Sequence, residues 1–489
     1  MAHKNRERMS SVDTAWLRMD RPSNLMMICG VLVFHERIAL GRLKATIDDR
    51  FLRFHRFRQR PVQSQAGAYW ETDASFDIDA HVQRAKVPAR FGKVELEALV
   101  SKLISTPLDP RRPLWQFHLI EGYEGGSAAV MRIHHCYADG IALIQVMLSM
   151  TDADRAGKRA GPVPPPPKRS KNDPDDPLAM LLQPMAGTLK FAMKTGATLI
   201  EKGLAIWHDP AKAAALVEEG SALTTEIATL AMMGEDSHTI FKGKPGIAKQ
   251  VAWADHLPLA EIKAIGRALD CSVNDVLLSS VAGALSSYLY RRGETVAGIT
   301  VRALVPVNLR PPEKAWKLGN RFGLVFLELP LGIENPVERL YAVRANMQKL
   351  KGSYQPLLAF GILAAMGAGP KLLQDQLLAA LARNATAVMT NVPGPQQPLY
   401  LGGAKIDSLM FWVPQSGDIG MGVSILSYDN QVQFGLVTDR KLCSDPDHII
   451  ERFAPEFEKL VLATLLLPWP WDVPPSPDEV EQGLFHRPT

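Results

Sequence analysis

The 489 residues are 46% apolar and 22% charged, ordinary values for a globular chain that exclude general disorder. At roughly 100–200 residues per domain, this length allows two to four domains. Lys and Arg number 55 against 51 acidic residues, and a net charge of +4 is too mild to mark a nucleic-acid binder. The four cysteines (Cys29, Cys136, Cys271, Cys443) lie far apart and form no CxxC pair, so neither a disulfide framework nor a zinc site is expected and a reducing cytosol is the default. The polar start, MAHKNRERMSS, has no apolar core, so no secretory signal is expected. No run of roughly 18 or more residues is continuously apolar, so no transmembrane helix is expected and any membrane contact would be peripheral.

The first third alternates strand-like and helix-like runs. Residues 25–34 are apolar and β-rich, and 39–54 place apolar residues at helical spacing. Residues 94–105 read as another helix. PLWQFHLI (113–120) and SAAVMRIHH (127–135) flank a glycine-containing turn and predict a hairpin, and a helix follows Gly140. A break comes at 156–177, rich in Pro and mixed charge, which reads as an extended linker. Residues 178–233 lack strand signals and predict two or three helices.

From 246 the alternation resumes. Strands are expected at 247–256, 298–309, 323–330, 387–394, 408–414, 421–429 and 431–439, with a turn at Asp429–Asn430. Helices are expected at 259–270, 272–290, 337–352 and 445–465. Residues 357–382 and 459–471 are strongly apolar but interrupted or short, and read as buried or interfacial helices. The layout is therefore a lobe over 1–155, a linker over 156–177, a helical connector over 178–245 and a second lobe over 246–489. Neither lobe carries GxGxxG or GxxxxGK[ST], so dinucleotide and P-loop nucleotide binding lack support.

The sharpest chemical feature is HHCYADG, with His134, His135, Asp139 and Gly140 where a strand gives way to a helix. Adjacent strand side chains point to opposite faces, so only one histidine faces a given cleft. Asp139 falls where it caps the helix or pairs with a cation. Gly140 tolerates backbone geometry that a Cβ hinders. A neutral imidazole is a fitting base for removing a proton near neutral pH, and no covalent nucleophile is then required. Two structural histidines, or a metal pair, are the alternatives on these residues alone.

HHxxxDG resembles the signature of the acyl-CoA-dependent acyltransferase superfamily. The ordered set is more specific. PLW (Pro113, Leu114, Trp115), SVNDVLLSSVAGAL (272–285, with Asn274 and Asp275), VPVNLRP (305–311), LGNRFG (318–323), NVPGP (391–395) and GDIGMG (417–422) resemble the blocks of bacterial wax ester synthase/diacylglycerol acyltransferases. The opening 9–27 and FDIDAHV (76–82) are similar to that family as well. The family more often has Ser where Asn308 and Thr390 stand.

The resemblance implies an α/β fold of two chloramphenicol-acetyltransferase-like lobes, mixed sheets flanked by helices, with the active site in a channel between them. It implies His135 as general base at an accessible point of that channel, His134 in support, and Asp139 holding the loop through Arg310. Asn274 and Asn391 are the oxyanion candidates, although Asn274 also suits a helix cap and Asn391 a turn. Pro113, Leu114 and Trp115 pack beneath the histidines, Asp275 belongs to the same helix motif, and Asn320 and Arg321 lie at the lobe interface. The Arg-rich stretch 50–60 is a candidate for CoA phosphates or, more simply, a solvated surface.

The implied reaction moves a long-chain acyl group from acyl-CoA to a fatty alcohol or diacylglycerol. No cofactor or metal is called for, since acyl-CoA is itself a substrate. A cytoplasmic location with peripheral association to the inner membrane or lipid droplets is implied. Two other readings stay open: a condensation-type enzyme using carrier-bound acyl groups, and a non-catalytic lipid-droplet protein. The residues rank neither alcohol nor chain length.

Overall fold

The computed structural model describes residues 6–64, 67–88, 91–157, 226, 229, 230, 232–310, 317–351 and 353–466. Of the linker expected over 156–177 only Ala156 and Gly157 are described, and of the helical connector expected over 178–245 only 226, 229, 230 and 232–245; the end of the apolar run at 467–471 lies outside the described residues.

A six-stranded sheet forms the first lobe. Its strands are β2 (Met27–Phe34), β5 (Val82–Arg84), β6 (Trp115–Glu121), β7 (Ser127–His134), β13 (Tyr400–Leu401) and β14 (Ala404–Trp412), in the order β13-β14-β2-β7-β6-β5. The expected hairpin is β6–β7, with Trp115 opposite Ile133. Two strands from the second half of the sequence complete this sheet: Met410 pairs with Val31, and Trp412 with Cys29. The block expected over 246–489 is thus not self-contained, because Ala404–Trp412 satisfies the backbone edge of β2.

The second sheet comprises β8 (Lys249–Trp253), β9 (Leu257–Pro258), β10 (Thr300–Asn308), β11 (Phe322–Pro330), β12 (Ala387–Pro393), β15 (Met421–Tyr428) and β16 (Gln431–Asp439). Its order is β11-β10-β12-β15-β16-β8, with β9 also on β16; β12 runs parallel to both β10 and β15, and the other pairings are antiparallel. Asp429 and Asn430 take φ of 46° and 60° in the β15–β16 turn, the left-handed geometry that Asp and Asn tolerate. A three-stranded sheet of β1 (Arg6–Arg8), β4 (Gly67–Thr72) and β3 (Gln59–Ser64) had no counterpart among the expected elements.

The helices that place the site are α1 (Ser11–Met19), α2 (Leu40–Asp49), α3 (Ile78–His81), α4 (Lys93–Ile104), α5 (Gly140–Met150), α6 (Leu259–Ala268) and α7 (Val273–Arg291). Further on are α8 (Pro336–Leu350), α9 (Gln355–Ala368), α10 (Lys371–Arg383) and α11 (Asp447–Leu465). The helix expected over 39–54 ends at Asp49 and continues as two 3₁₀ turns, which bury Phe51, Leu52 and Phe57. The apolar run 357–382 is two helices, because Gly369 and Pro370 interrupt it. No single described helix is long and apolar enough to cross a membrane. The bent pair α6–α7 passes by length and composition, yet α7 is buried along nearly its whole length in the second lobe.

The lobes meet at the histidine turn that follows β7 and at two further junctions. Val31, Val130, Trp253, Met410, Trp412 and Val437 share one apolar cluster, with the Trp253 and Trp412 rings 5.6 Å apart. Beside it, α4 covers the edge of β8. Ser105 Oγ, Ser101 Oγ and Glu97 Oε1 accept from the backbone N–H of Lys249, Val251 and Trp253 at 2.8, 3.0 and 3.3 Å. A helical repeat of four residues is thereby matched to a strand repeat of two, and the edge donors are satisfied rather than left open. At the other junction, α1 lies against α9: Arg18 donates to the carbonyls of Gly367 and Gly369 at 3.2 and 3.0 Å.

Candidate active site

β7 ends at His134, and the turn 135–139 leads into α5. The turn is held by backbone contacts from three directions. His134 N donates to Leu114 O (2.9 Å), His135 N to Met26 O (2.7 Å) and Asp139 N to Gly319 O (3.2 Å). Gly319 N returns a bond to Tyr137 O at 3.0 Å. Gly319 has φ of 98°, in the region that glycine enters without strain.

Asp139 does both things its position allows. Oδ1 accepts from Ala142 N (2.9 Å), capping α5, and Oδ2 accepts from Arg310 Nη2 (2.7 Å) and Arg321 N (2.8 Å). Arg310 is the partner the sequence suggested. Its guanidinium also reaches the carbonyls of Gly319 and Lys317. Asp139 therefore points into the lobe junction as an anchor for the turn. Gly140 opens α5, and the hindrance expected of a Cβ there is not found: the space is open and φ lies outside the left-handed region.

The two histidines meet different neighbours. His134 Nδ1 accepts from Cys136 N at 3.1 Å, and Nε2 lies 3.7 Å from Asp20 Oδ1, beyond hydrogen-bond range. The His135 ring stacks on Trp16 of α1, with centroids 4.0 Å apart and planes 18° from parallel. Phe322 of β11 lies across it at 5.7 Å. Residues of both halves of the sequence thus surround this imidazole. The accessible ring expected at the channel is not what the structure holds: His135 is 5% exposed, because the Trp16 and Phe322 rings enclose it. Desolvation pushes its pKa down to about 4, against the opposing pull of Asp139, its own carbonyl and Asn320, with His134 adding slightly to the lowering. The ring is neutral near pH 7.

Asn320 sits between the lobes as expected, and its contacts are specific. Nδ2 donates to His135 O (2.9 Å) and to Asp13 Oδ1 (2.8 Å), and Asn320 N donates to the same carboxylate oxygen at 3.2 Å. Asp13 is buried, and burial raises its pKa against the pull of Asn320, Ser10 and Arg56. Sequence reasoning missed Asp13, Trp16 and Phe322 as site residues. Asp13 and Trp16 fall in the opening segment, whose only signal was its likeness to a family block.

PLW lies under the turn. Pro113, Leu114 and Trp115 are buried, Trp115 Nε1 donates to Phe57 O at 2.8 Å, and its ring stacks on His81 at 4.3 Å. The oxyanion candidates are brought to each other: Asn391 Nδ2 donates to Asn274 Oδ1 at 2.8 Å. Among the described residues neither amide is hydrogen-bonded to His135. Asn391 lies within β12 opposite Ile425, and the cap of α7 belongs to Ser272 and Asp275, whose side chains and backbone N–H groups exchange hydrogen bonds.

The arginines of 50–60 are paired with carboxylates: Arg50 with Asp152, Arg53 with Asp49, Arg56 with Glu7, Arg58 with Asp48 and Arg60 with Glu71. That stretch is a structural surface. A different basic feature lies beside Asn274. A cleft of about 570 Å³ at the start of α7 is lined by Lys263, Arg267, Arg344 and Lys351, against Asp270 and Asp275. Among the described residues no cluster of three or more His, Cys, Asp or Glu side chains is placed to hold a metal ion.

Two mixed sheets, and a histidine-bearing turn locked between them, define a two-lobed acyltransferase architecture. Residues 9–277 match the wax ester synthase/diacylglycerol acyltransferase catalytic domain, and residues 318–461 match the WS/DGAT C-terminal domain. A putative diacylglycerol O-acyltransferase of Mycobacterium tuberculosis is 30% identical over 421 residues, 83% of this chain and 80% of that protein. A probable diacylglycerol O-acyltransferase of the same organism, tgs1, is 26% identical over 411 residues, 83% and 84% of the two chains. In three dimensions the chain is similar to a wax ester synthase/diacylglycerol acyltransferase from Marinobacter aquaeolei VT8, with a TM-score of 0.67 at 19% identity, covering 94% of this chain and 100% of that one. It shares its fold with the first condensation domain of the CDA synthetase, with a TM-score of 0.57 at 14% identity over 94% and 97% of the chains. The chain belongs to the wax ester synthase/diacylglycerol acyltransferase family and is an acyltransferase.

Proposed function

We propose that this acyltransferase moves a long-chain fatty acyl group from acyl-CoA to the hydroxyl of a fatty alcohol or a diacylglycerol, with His135 as general base and no covalent intermediate. The observation that carries this reading is the buried imidazole of His135 at the lobe junction, stacked on Trp16 and borne on a turn locked by the Asp139–Arg310 pair. Nε2 takes the proton of the alcohol as its oxygen bonds to the thioester carbon. The C–S bond then breaks, and the imidazolium returns the proton to the CoA thiolate. His134 supports the turn from β7. The ring stands in a buried, water-poor site.

The oxyanion that forms on the thioester carbon needs a preorganised donor. The Asn391–Asn274 bond orients both amides and leaves the Asn274 Nδ2 group able to donate, which supports these two residues in that role. The basic cleft beside Asn274 supports a seat for the CoA phosphates, since its four cations outnumber its two carboxylates. An acyl chain gains about 0.8 kcal/mol for each CH₂ removed from water, and the apolar helix α9 is suited to line its path. Leu357 on α9 and Leu372 on α10, and Leu462, Leu465 and Leu466 at the end of α11, are exposed and support peripheral contact with a membrane or lipid-droplet surface on the cytoplasmic side. No cofactor and no nucleic-acid partner enter the reading.

The test is ester formation by purified protein from radiolabelled palmitoyl-CoA with hexadecanol or dioleoylglycerol, resolved by thin-layer chromatography. The wild type forms the wax ester, the triacylglycerol or both, and His135→Ala forms neither. Turnover that survives this substitution overturns the assignment of the base.

A further inference from the structure

We propose that Asp13 is a positioning residue for the general base, acting through Asn320. The proposal rests on the reading of His135 as base. It starts from where the Asp13 carboxylate goes. Asp13 is the third residue of α1, the place from which an acidic side chain commonly turns back to cap its own helix. Here the local cap is Ser10, whose Oγ accepts from Asp13 N at 3.1 Å, while the Asp13 carboxylate reaches Asn320, 307 residues away. Oδ1 accepts both the backbone N–H and the side-chain N–H of Asn320. No Lys or Arg forms an ion pair with Asp13 among the described residues, and Asp13 is 7% exposed. Burying a carboxylate on uncharged donors is costly, and this one is buried at the point where α1 touches the base.

Asn320 makes the connection. One hydrogen of its Nδ2 goes to Asp13 Oδ1 and the other to His135 O. Both neighbours are acceptors, so the amide has one orientation that satisfies them. With Nδ2 committed on both sides, Asn320 cannot rotate without breaking two bonds. Asp13 thus fixes Asn320, and Asn320 fixes the carbonyl of the catalytic residue. One helical turn beyond Asp13, Trp16 stacks on the same imidazole at 4.0 Å. α1 therefore holds His135 twice, by its backbone through Asn320 and by its ring through Trp16. The charged and titratable groups that bear on the pair are Arg56 and Cys136 for Asp13, and Asp139 and His134 for His135.

The experiment compares Asp13→Ala, Asp13→Asn, Asn320→Ala and the Asp13→Ala/Asn320→Ala double variant, with His135→Ala alongside, in full-length protein. Steady-state kinetics with palmitoyl-CoA are normalised to folded protein measured by near-UV circular dichroism and Tm. Misplacing a catalytic group from a distance costs up to about 10²-fold. Asp13→Ala should therefore lower kcat by roughly ten- to a hundredfold, with KM for palmitoyl-CoA unchanged. Asn320→Ala should match it, and the double variant should lose no more than either single one. Asp13→Asn keeps an acceptor at Oδ1 and should recover most of the lost kcat. Full kcat per folded molecule in Asp13→Ala, or independent losses that multiply in the double variant, overturns the proposal. The companion His135→Ala separates the cases: activity there sinks the base itself, whereas an inactive His135→Ala beside a fully active Asp13→Ala sinks the positioning role alone.

Discussion

Asp139 and Arg310 stand 171 residues apart in sequence and meet with 2.7 Å between Oδ2 and Nη2, their side chains 4% and 1% exposed. The pair joins the histidine turn of the first lobe to the end of β10 in the second. A buried ion pair gives little net stability relative to an apolar pair, but removing one partner leaves the other charge stranded, at roughly 3–5 kcal/mol. Asp139→Ala and Arg310→Ala are each expected to cost about that much in urea unfolding. The double variant should cost clearly less than the sum of the two. Additive losses would mean that the contact is not formed.

His135 carries a pH prediction. Its pKa in the fold is pushed down to about 4 by desolvation, below the ordinary 6.5. A depressed histidine pKa means that the unfolded chain binds the proton more readily, so stability from this site is full above pH 6.5 and is lost as the pH falls toward 4. As a base the ring works when neutral. Its contribution to kcat/KM should thus be level between pH 5 and 8, with an acid limb near pH 4. A limb near 6.5 that disappears in His135→Ala would show that the ring meets water in the free enzyme.

Asp139 was legible as a helix cap or a partner for a cation from its place where a strand gives way to a helix, and Arg310 was singled out as that cation by the resemblance of its motif to the family's blocks. The long strands of both sheets were legible because apolar β-branched runs bounded by Gly, Pro and Asp keep their meaning in any context, whereas the short strands β5, β9 and β13 carry too few residues for such a pattern. The closure of the first sheet by Ala404–Trp412 was not, since pairing of strands nearly 380 residues apart leaves no local trace. The hairpin β3–β4 was hidden by its polar, half-exposed residues. The enclosure of His135 by Trp16 and Phe322 was hidden too, because each aromatic is an ordinary core residue until the lobes come together.

Asn274 and Asn391 are separable by mutation. Removing a donor that contacts an oxyanion typically lowers kcat by ~10²–10³-fold. The amide that makes that contact is expected to show such a loss on replacement by Ala, with KM little changed. Asn391→Ala also removes the bond that orients Asn274, so it should lower kcat even where Asn274 alone touches the oxyanion. If both variants keep kcat within severalfold, the donor lies elsewhere.

The basic cleft predicts a split between substrates with and without phosphates. Arg267→Glu and Arg344→Glu reverse charge on its lining. Each is expected to raise KM for palmitoyl-CoA about tenfold, the cost of roughly one charge-assisted bond. Transfer from palmitoyl-pantetheine, which lacks the nucleotide, should stay unchanged. Equal effects on both donors would remove the cleft from CoA recognition while leaving the acyl transfer itself in place.

Glu97, between α4 and β8, makes the lobe contact pH-sensitive. Burial raises its pKa to about 7, with Asp447 and Asp255 adding to the rise and the Trp253 N–H and Lys93 opposing it. A raised carboxyl pKa means that the folded chain holds the proton where the unfolded chain, near 4.5, has released it. Stability from this group is therefore full below pH 4.5 and falls as the pH rises through 7. Glu97→Gln keeps an acceptor for Trp253 N and carries no charge. Its Tm should exceed that of the wild type at pH 8, and the difference should vanish toward pH 5. A gap that stays constant across this range would show that Glu97 does not titrate at the contact.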